Sequence, residues 1–459
     1  MTSGTTRFIP RRLPRLAFAC EVPGAWWGFH EVPIAASDAI LVACGWGDDR
    51  ELLEKRPALV ALDARSGAER FRLEVPVLRP GSSEGQVAPP AVLPDGRILV
   101  AVYQWDAALT VHVLDPDGRI AREDELGEDG RMVALDLYGA DSGVKLFLGR
   151  PVAAGGAYLV SWVYRSRSNH LMCRDLATGE PLWERDEWLL ACAGGLAIGE
   201  TDPPGHVRRA GAEVVARELA RGQEVWRLGP EHALEPDPPG AVVQDRRPVM
   251  RSAAGTVGDQ VLFIDRAARR EALLRRDSDV LDRAVDSGAE QPDFDELERG
   301  WDAEHGEALA EELVAHDLAG GDERWRVRTG EVISIECAPH ACCLVALDRS
   351  GAAELVQIDP RGHIQSRSRL PLDPGDQRPA RRAPRVIAID DELLLWSSST
   401  ELVCVELARP GVELWRLPLP APCECDPPRP RDRLLRGASI AVADGRLYLR
   451  DGRRVWGFE

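Results

Sequence analysis

The chain has 459 residues, 44% of them hydrophobic, and its 57 basic against 75 acidic side chains give a formal net charge of −18. That balance argues against a nucleic-acid backbone or an anionic membrane as the main partner, and it suits solubility and basic protein partners. No stretch approaches the ~20 apolar residues that a spanning helix needs, so no membrane insertion is expected.

Residues 1–12 read as a flexible tail. The apolar run Leu16–Cys20 behind it is too short for the core of a secretory signal, so the expected location is cytoplasmic, with the ten cysteines reduced. Leu13–Val22 (LPRLAFACEV) has the pattern of the last strand of a repeat whose first part is missing. The aromatic group Trp26, Trp27 and Phe29, followed by His30, is a candidate interaction surface, with a seam between sheets as the competing reading.

A repeated unit then begins. In LVALDARSGAERFRLEV an alternating run ends at Asp63, a turn closes at Gly67, and a returning strand carries Phe71. An Asp after a strand accepts hydrogen bonds from the turn that follows, and a Gly four residues later supplies positive φ. The same spacing recurs at Asp175, Gly179, Trp183; at Glu218, Gly222, Trp226; and at Asp317, Gly321, Trp325. A version with one extra residue runs Glu406, Gly411, Trp415, and copies without the aromatic surround Asp115 and Asp359. Residues 437–459 give three strand-like runs ending at Glu459, where the anchor of another copy falls. The orphan strand at Leu13–Val22 completes that copy and closes a ring, which removes free sheet edges.

The anchors Asp63, Asp115, Asp175, Glu218, Asp317, Asp359, Glu406 and Glu459 are 42 to 60 residues apart, except for 99 between Glu218 and Asp317. Spacings of this size fit four-stranded blades. The expected fold is therefore all-β: an eight-bladed β-propeller of four-stranded antiparallel blades spanning 13–459. In the long interval, Gln260–Asp265 and Leu313–Asp317 read as strands two and three of blade five. The intervening 266–312 is rich in Ala, Leu, Glu and Arg, with Leu273, Leu274, Leu281 and Val285 as an apolar stripe, and reads as a helical insertion. A ninth blade anchored at Asp265 would lack its first two strands. The acid-rich second half of the insertion, Asp293, Asp295, Glu296 and Glu298 with Trp301, Asp302 and Glu304, is the second interaction candidate and suits a basic partner surface.

The Leu/Val-x-x-x-Asp-x-x-x-Gly-x-x-x-Trp unit resembles the repeat of the pyrroloquinoline-quinone-like β-propellers. That superfamily includes the eight-bladed quinoprotein alcohol dehydrogenases and non-enzymatic members such as the outer-membrane assembly propeller lipoprotein. The resemblance implies that Trp183, Trp226, Trp325 and Trp415, with Phe71 as a substitute, dock between adjacent blades. In the family's enzymes quinone and calcium sit in the central funnel, often beside a disulfide of adjacent cysteines. Here the adjacent pair Cys342-Cys343 falls late in the chain, and no position matches the calcium ligands or the catalytic Asp. No catalytic or cofactor-binding residue is assigned, and no cofactor is expected.

Two cysteine groups have partial metal-ligand character: Cys337, His340, Cys342 and Cys343 in CAPHACC, and Cys423 with Cys425. Adjacent residues of a strand point to opposite faces, which sets Cys342 and Cys343 against a common ion. Asp115-Pro-Asp-Gly118 reads as a turn, since no run of calcium ligands follows it. The expected function is a non-catalytic scaffold for protein–protein interaction. The alternatives are a quinone- or metal-dependent oxidoreductase and an envelope assembly factor.

Overall fold

A computed structural model describes residues 9–22, 34–36, 39–44, 58–74, 86–88, 90–93, 95–103, 109–126, 146–148, 151–164, 168–201, 213–229, 251–265, 275, 278–280, 282–283, 297, 310–348, 350–372, 384–398, 400–419, 439–443, 445–451 and 454–459. Among these described residues the strands form eight antiparallel sheets, within 34–74, 86–126, 146–185, 187–228, 251–328, 331–370, 385–418, and 439–458 with Leu16–Glu21. Six have four strands, five of them in simple meander order and the sixth a three-stranded meander completed by Leu16–Glu21. In the other two, two short strands in succession take the place of the first strand, both pairing with the same neighbour.

The chain forms two compact units: Met1–Asp202 with Val214–Val225 and Leu414–Glu459, and Pro203–Glu213 with Trp226–Glu413. Five sheets lie wholly or largely in the first unit and three in the second. Within each unit, apolar residues alternate along the middle strands to feed two clusters, one on either face. In 109–114, Leu109, Val111 and Val113 pack with Tyr158, Val160 and Met172, whereas Leu114 packs with Leu59, Ala61 and Val100. This two-sided burial explains why the middle strands read as nearly continuous Val, Leu and Ala runs.

The terminal strands meet as the sequence implies. Leu16–Glu21 pairs with Arg454–Phe458, and Arg15 and Glu459 exchange backbone hydrogen bonds of 2.7 and 2.9 Å. The tail reading needs correction at its end. Ile9 is buried, and the Pro10 carbonyl accepts a hydrogen bond from Trp415 Nε1 at 2.7 Å.

The long interval is an insertion between paired strands, since Gln260–Asp265 pairs residue for residue with Glu312–Asp317. The expected helical insertion at 266–312 is not established. Most of it lies outside the described residues, and no helix is delineated as an element among those that are described. Among the described residues of the segment, Arg275, Ser278–Val280, Asp282–Arg283 and Leu297 have helical conformation.

Candidate functional site

The repeat residues build one recurring device, a latch between a turn and the outer strand of the preceding sheet. At Asp175 the side-chain Oδ1 accepts from the N–H groups of Ala177 (2.9 Å) and Thr178 (2.8 Å), and Gly179 closes the turn at φ +80°. The Thr178 backbone N–H and hydroxyl hold the Asp175 carboxyl below its ordinary pKa. The Ser66 hydroxyl does the same at Asp63, and the Arg324 guanidinium at Asp317. A carboxylate that accepts several donors is favoured in its charged form.

The aromatic of each regular copy then lies over the next turn. The Trp183 ring covers Gly222 so closely that a Cβ there would sit 2.5 Å from it. Its Nε1 donates to the Leu219 carbonyl at 2.8 Å, one residue past the anchor Glu218. Trp226 covers Gly321 and donates to Leu318 at 2.8 Å, one past Asp317. Trp325 covers Gly362 and donates to Pro360 at 2.9 Å, one past Asp359. Phe71 covers Gly118, and Phe18 of the N-terminal strand covers Gly67. The buried Tyr448 hydroxyl supplies the donor that Phe18 lacks, reaching the Ala64 carbonyl, one past Asp63, at 3.4 Å.

The copy at 109–126 has no aromatic, and sequence reasoning missed what replaces it. Arg122 stands four residues after Gly118, the spacing that separates Gly179 from Trp183. Its Nη1 donates to the carbonyls of Leu176 (3.2 Å) and Ala177 (2.6 Å), the first of which is one past the anchor Asp175. Its Nε is 2.8 Å from Asp124 Oδ1, and the buried Tyr158 hydroxyl donates to Asp124 Oδ2 at 2.7 Å. Burial, then the Asp124 hydrogen bond, raise the Tyr158 phenol well above its ordinary pKa. The signal was the spacing itself, read for an aromatic rather than for any donor.

A second buried ion pair ties a turn within the next sheet. Arg217 Nη2 and Nε reach Glu187 Oε1 at 2.6 and 2.9 Å, and Nη1 reaches the Gly222 carbonyl at 3.3 Å. Another buried ring, His316, makes a 2.9 Å hydrogen bond through Nδ1 to the Gly321 carbonyl. His112 is different: its buried Nδ1 has no hydrogen-bond partner and lies 3.4 Å from Glu123 Oε1, and burial lowers its pKa.

The copy with the extra residue is corrected by the strands. The reversal falls at Leu407–Ala408, and Gly411 lies within the returning strand Arg409–Pro418 rather than at the turn. Trp415 is buried as expected.

Of the metal candidates, Cys337 and Cys342 face each other across one hairpin, while Cys343 points to the opposite face. His340 sits at the hairpin tip, its Nδ1 3.5 Å from Asp391 Oδ1. Among the described residues no three His, Cys, Asp or Glu side chains are grouped to hold a metal ion. Burial pushes the Cys173, Cys343 and Cys404 thiols up to about 12. Cys423, Cys425, Trp26, Trp27, Phe29, Asp293, Asp295, Glu296, Glu298 and Trp301 lie outside the described residues. Among the described residues no helix is long and apolar enough to cross a membrane.

No family model matches the chain, and neither does any curated protein. Its structure is similar over its whole length to a quinohemoprotein alcohol dehydrogenase from Comamonas testosteroni, at 10% identity, 78% of that chain and a TM-score of 0.55. It is similar in the same way to a europium-containing methanol dehydrogenase, at 10% identity, 96% of that chain and a TM-score of 0.53. The match to BamB from Moraxella catarrhalis covers 97% of this chain and 98% of that one, at 12% identity and a TM-score of 0.39. With its antiparallel sheets and its likeness to the two dehydrogenases, the chain has a β-propeller fold.

Proposed function

We propose that this chain is a non-catalytic, eight-bladed propeller scaffold that binds a protein partner in the cytoplasm. One observation carries the reading: three sets of buried polar side chains that could have formed a reaction site are engaged in holding turns and sheets. Arg122, Asp124 and Tyr158 latch one turn, Glu187 and Arg217 another, and His316 is tied to the Gly321 carbonyl. Desolvated, fully paired groups of this kind fix a scaffold rigidly and present its loops. The acidic surface, with a net charge of −18, suits a basic partner.

The partner-binding candidate is the segment inserted between Asp265 and Glu312, two residues that pair directly with each other. An insertion leaving and re-entering a sheet at adjacent points can be removed without disturbing the register on either side. Deleting 270–310 and repeating affinity capture from the native host tests this; the expected result is loss of a specific partner, and an unchanged set overturns the insertion as the interface.

The dehydrogenase neighbours motivate a second reading, an oxidoreductase of the quinoprotein type. Titrating purified protein with pyrroloquinoline quinone and calcium and following the quinone absorbance separates the two. Saturable binding supports the enzyme reading, and the scaffold reading expects no spectral change.

A further inference from the structure

The hairpin formed by Glu331–Ala338 and Ala341–Leu347 turns on two residues, Pro339 and His340. Ala338 pairs with Ala341 at its tip, and Cys337 pairs with Cys342 one step further in. When an antiparallel hairpin closes on two residues, the tip pair exchanges backbone hydrogen bonds and the next pair does not. Pairs of that second kind hold their Cα atoms about 4.5 Å apart with side chains on one face. A disulfide spans Cα separations of about 4.4–6.8 Å.

The surroundings agree with this register. Both residues pack into the apolar cluster that contains Val257, Leu262 and Leu344, Cys342 fully and Cys337 in part. Gly255 makes room for one of them, since a Cβ there would lie 2.9 Å from Cys337 Sγ. Cys337 is partly exposed, whereas Cys342 is only 1% exposed. The neighbouring Cys343 lies on the other face among Val345, Leu355 and Val403.

We propose that Cys337 and Cys342 form a reversible cross-strand disulfide site whose reaction partner is a low-molecular-weight disulfide such as oxidised glutathione. The partly exposed Cys337 reacts first. Its thiolate attacks one sulfur of the small disulfide, the S–S bond breaks, and one glutathione leaves and takes up the proton that Cys337 lost. Cys342 then gives up its proton and attacks the Cys337 sulfur of the mixed disulfide, releasing the second glutathione. Two protein thiols are oxidised by two electrons, and one small disulfide is reduced to two thiols. Burial and the adjoining Cys337 thiol raise the Cys342 pKa, so the second step is the slower one and quickens as pH rises.

The test incubates the full-length protein with oxidised glutathione, alkylates it, and weighs the tryptic peptide spanning residues 329–349, which carries all three cysteines. The expected product lacks two hydrogens, carries one alkyl group, and reverts with dithiothreitol. Its fragmentation spectrum should lack cleavages between 337 and 342 while retaining the one between Cys342 and Cys343. Cys343→Ala should still form the bond, Cys342→Ser should stop at a glutathione adduct on Cys337, and Cys337→Ser should form neither. A two-hydrogen loss that survives Cys342→Ser, disappears in a folded Cys343→Ala, or never forms in the wild type would overturn the proposal. The wild-type fragmentation pattern decides the matter even where a variant fails to fold.

Discussion

The outer strands Pro181–Arg185 and Ile120–Leu126 meet the following sheet at the same two points, the turn glycine and the carbonyl one residue past the anchor. In the first a tryptophan does both jobs, with its ring over Gly222 and its Nε1 on Leu219. In the second a guanidinium reaches Leu176 and Ala177 beside Gly179. Trp183 needs nothing further, because an indole buries apolar area and has a single donor to satisfy. Arg122 carries a charge into a half-buried site and therefore brings Asp124, which in turn requires the Tyr158 hydroxyl. In these two copies the donor holds the same position while the chemistry of its side chain differs, and the charged version needs two supporting residues.

Truncation should separate the two versions by mechanism. Trp183→Ala removes a buried ring and its hydrogen bond, and should cost about 4 kcal/mol in urea unfolding. Arg122→Ala leaves the buried Asp124 carboxylate unpaired and should cost about 3 kcal/mol. Arg122→Lys should recover only part of that loss, since an ammonium cannot serve two carbonyls and a carboxylate with a planar fork. Equal rescue by Lys would mean that charge alone matters there.

The glycines under the latches sharpen the comparison at a smaller scale. Gly222→Ala combines a strained positive φ with a clash against the Trp183 ring, and should cost about 2–3 kcal/mol. Gly156 has φ +81° and open space around it, so Gly156→Ala should cost only about 1 kcal/mol. Similar values for the two would remove the ring contact as a contributor.

The last comparison concerns pH. Asp63, Asp175 and Asp317 have folded pKa values below the unfolded value of about 3.9, so the unfolded chain binds more protons just below that pH. Their contribution is complete above about pH 4 and is lost as pH falls through the folded values. The buried thiols act at the other end. Cys173, Cys343 and Cys404 are raised to about 12, so their contribution is complete below the unfolded pKa of about 8.5. It is lost as pH rises from there toward 12. Unfolding midpoints measured from pH 3 to 10 should therefore form a plateau with losses on both sides.

The repeat was legible because its turn chemistry is local. An Asp anchor, a glycine at positive φ and an aromatic four residues on are each dictated within one hairpin, and the pairing of the terminal strands was legible because each end carries the part of the unit that the other lacks. The position of the insertion was legible too, since Asp265 and Leu313 end and begin strands of plain alternating pattern. Three features were not. Gly411 was matched by residue type, whereas the chain reverses earlier, at Leu407–Ala408, so no glycine is needed five residues past the anchor. Arg122 was passed over because a surface-like Arg-Glu-Asp run gives no local sign that one guanidinium faces a neighbouring turn. Cys337 and Cys342 were read as possible metal ligands by their spacing, and only the two-residue turn shows them to be cross-strand partners.

The central claim is that these buried polar residues act as coupled latches. The direct test is a double-mutant cycle of Arg122→Ala, Asp124→Ala and the double variant in urea unfolding. The account predicts a coupling of about 2 kcal/mol, because removing either partner already removes most of what the pair contributes. Additivity within about 0.5 kcal/mol would contradict it.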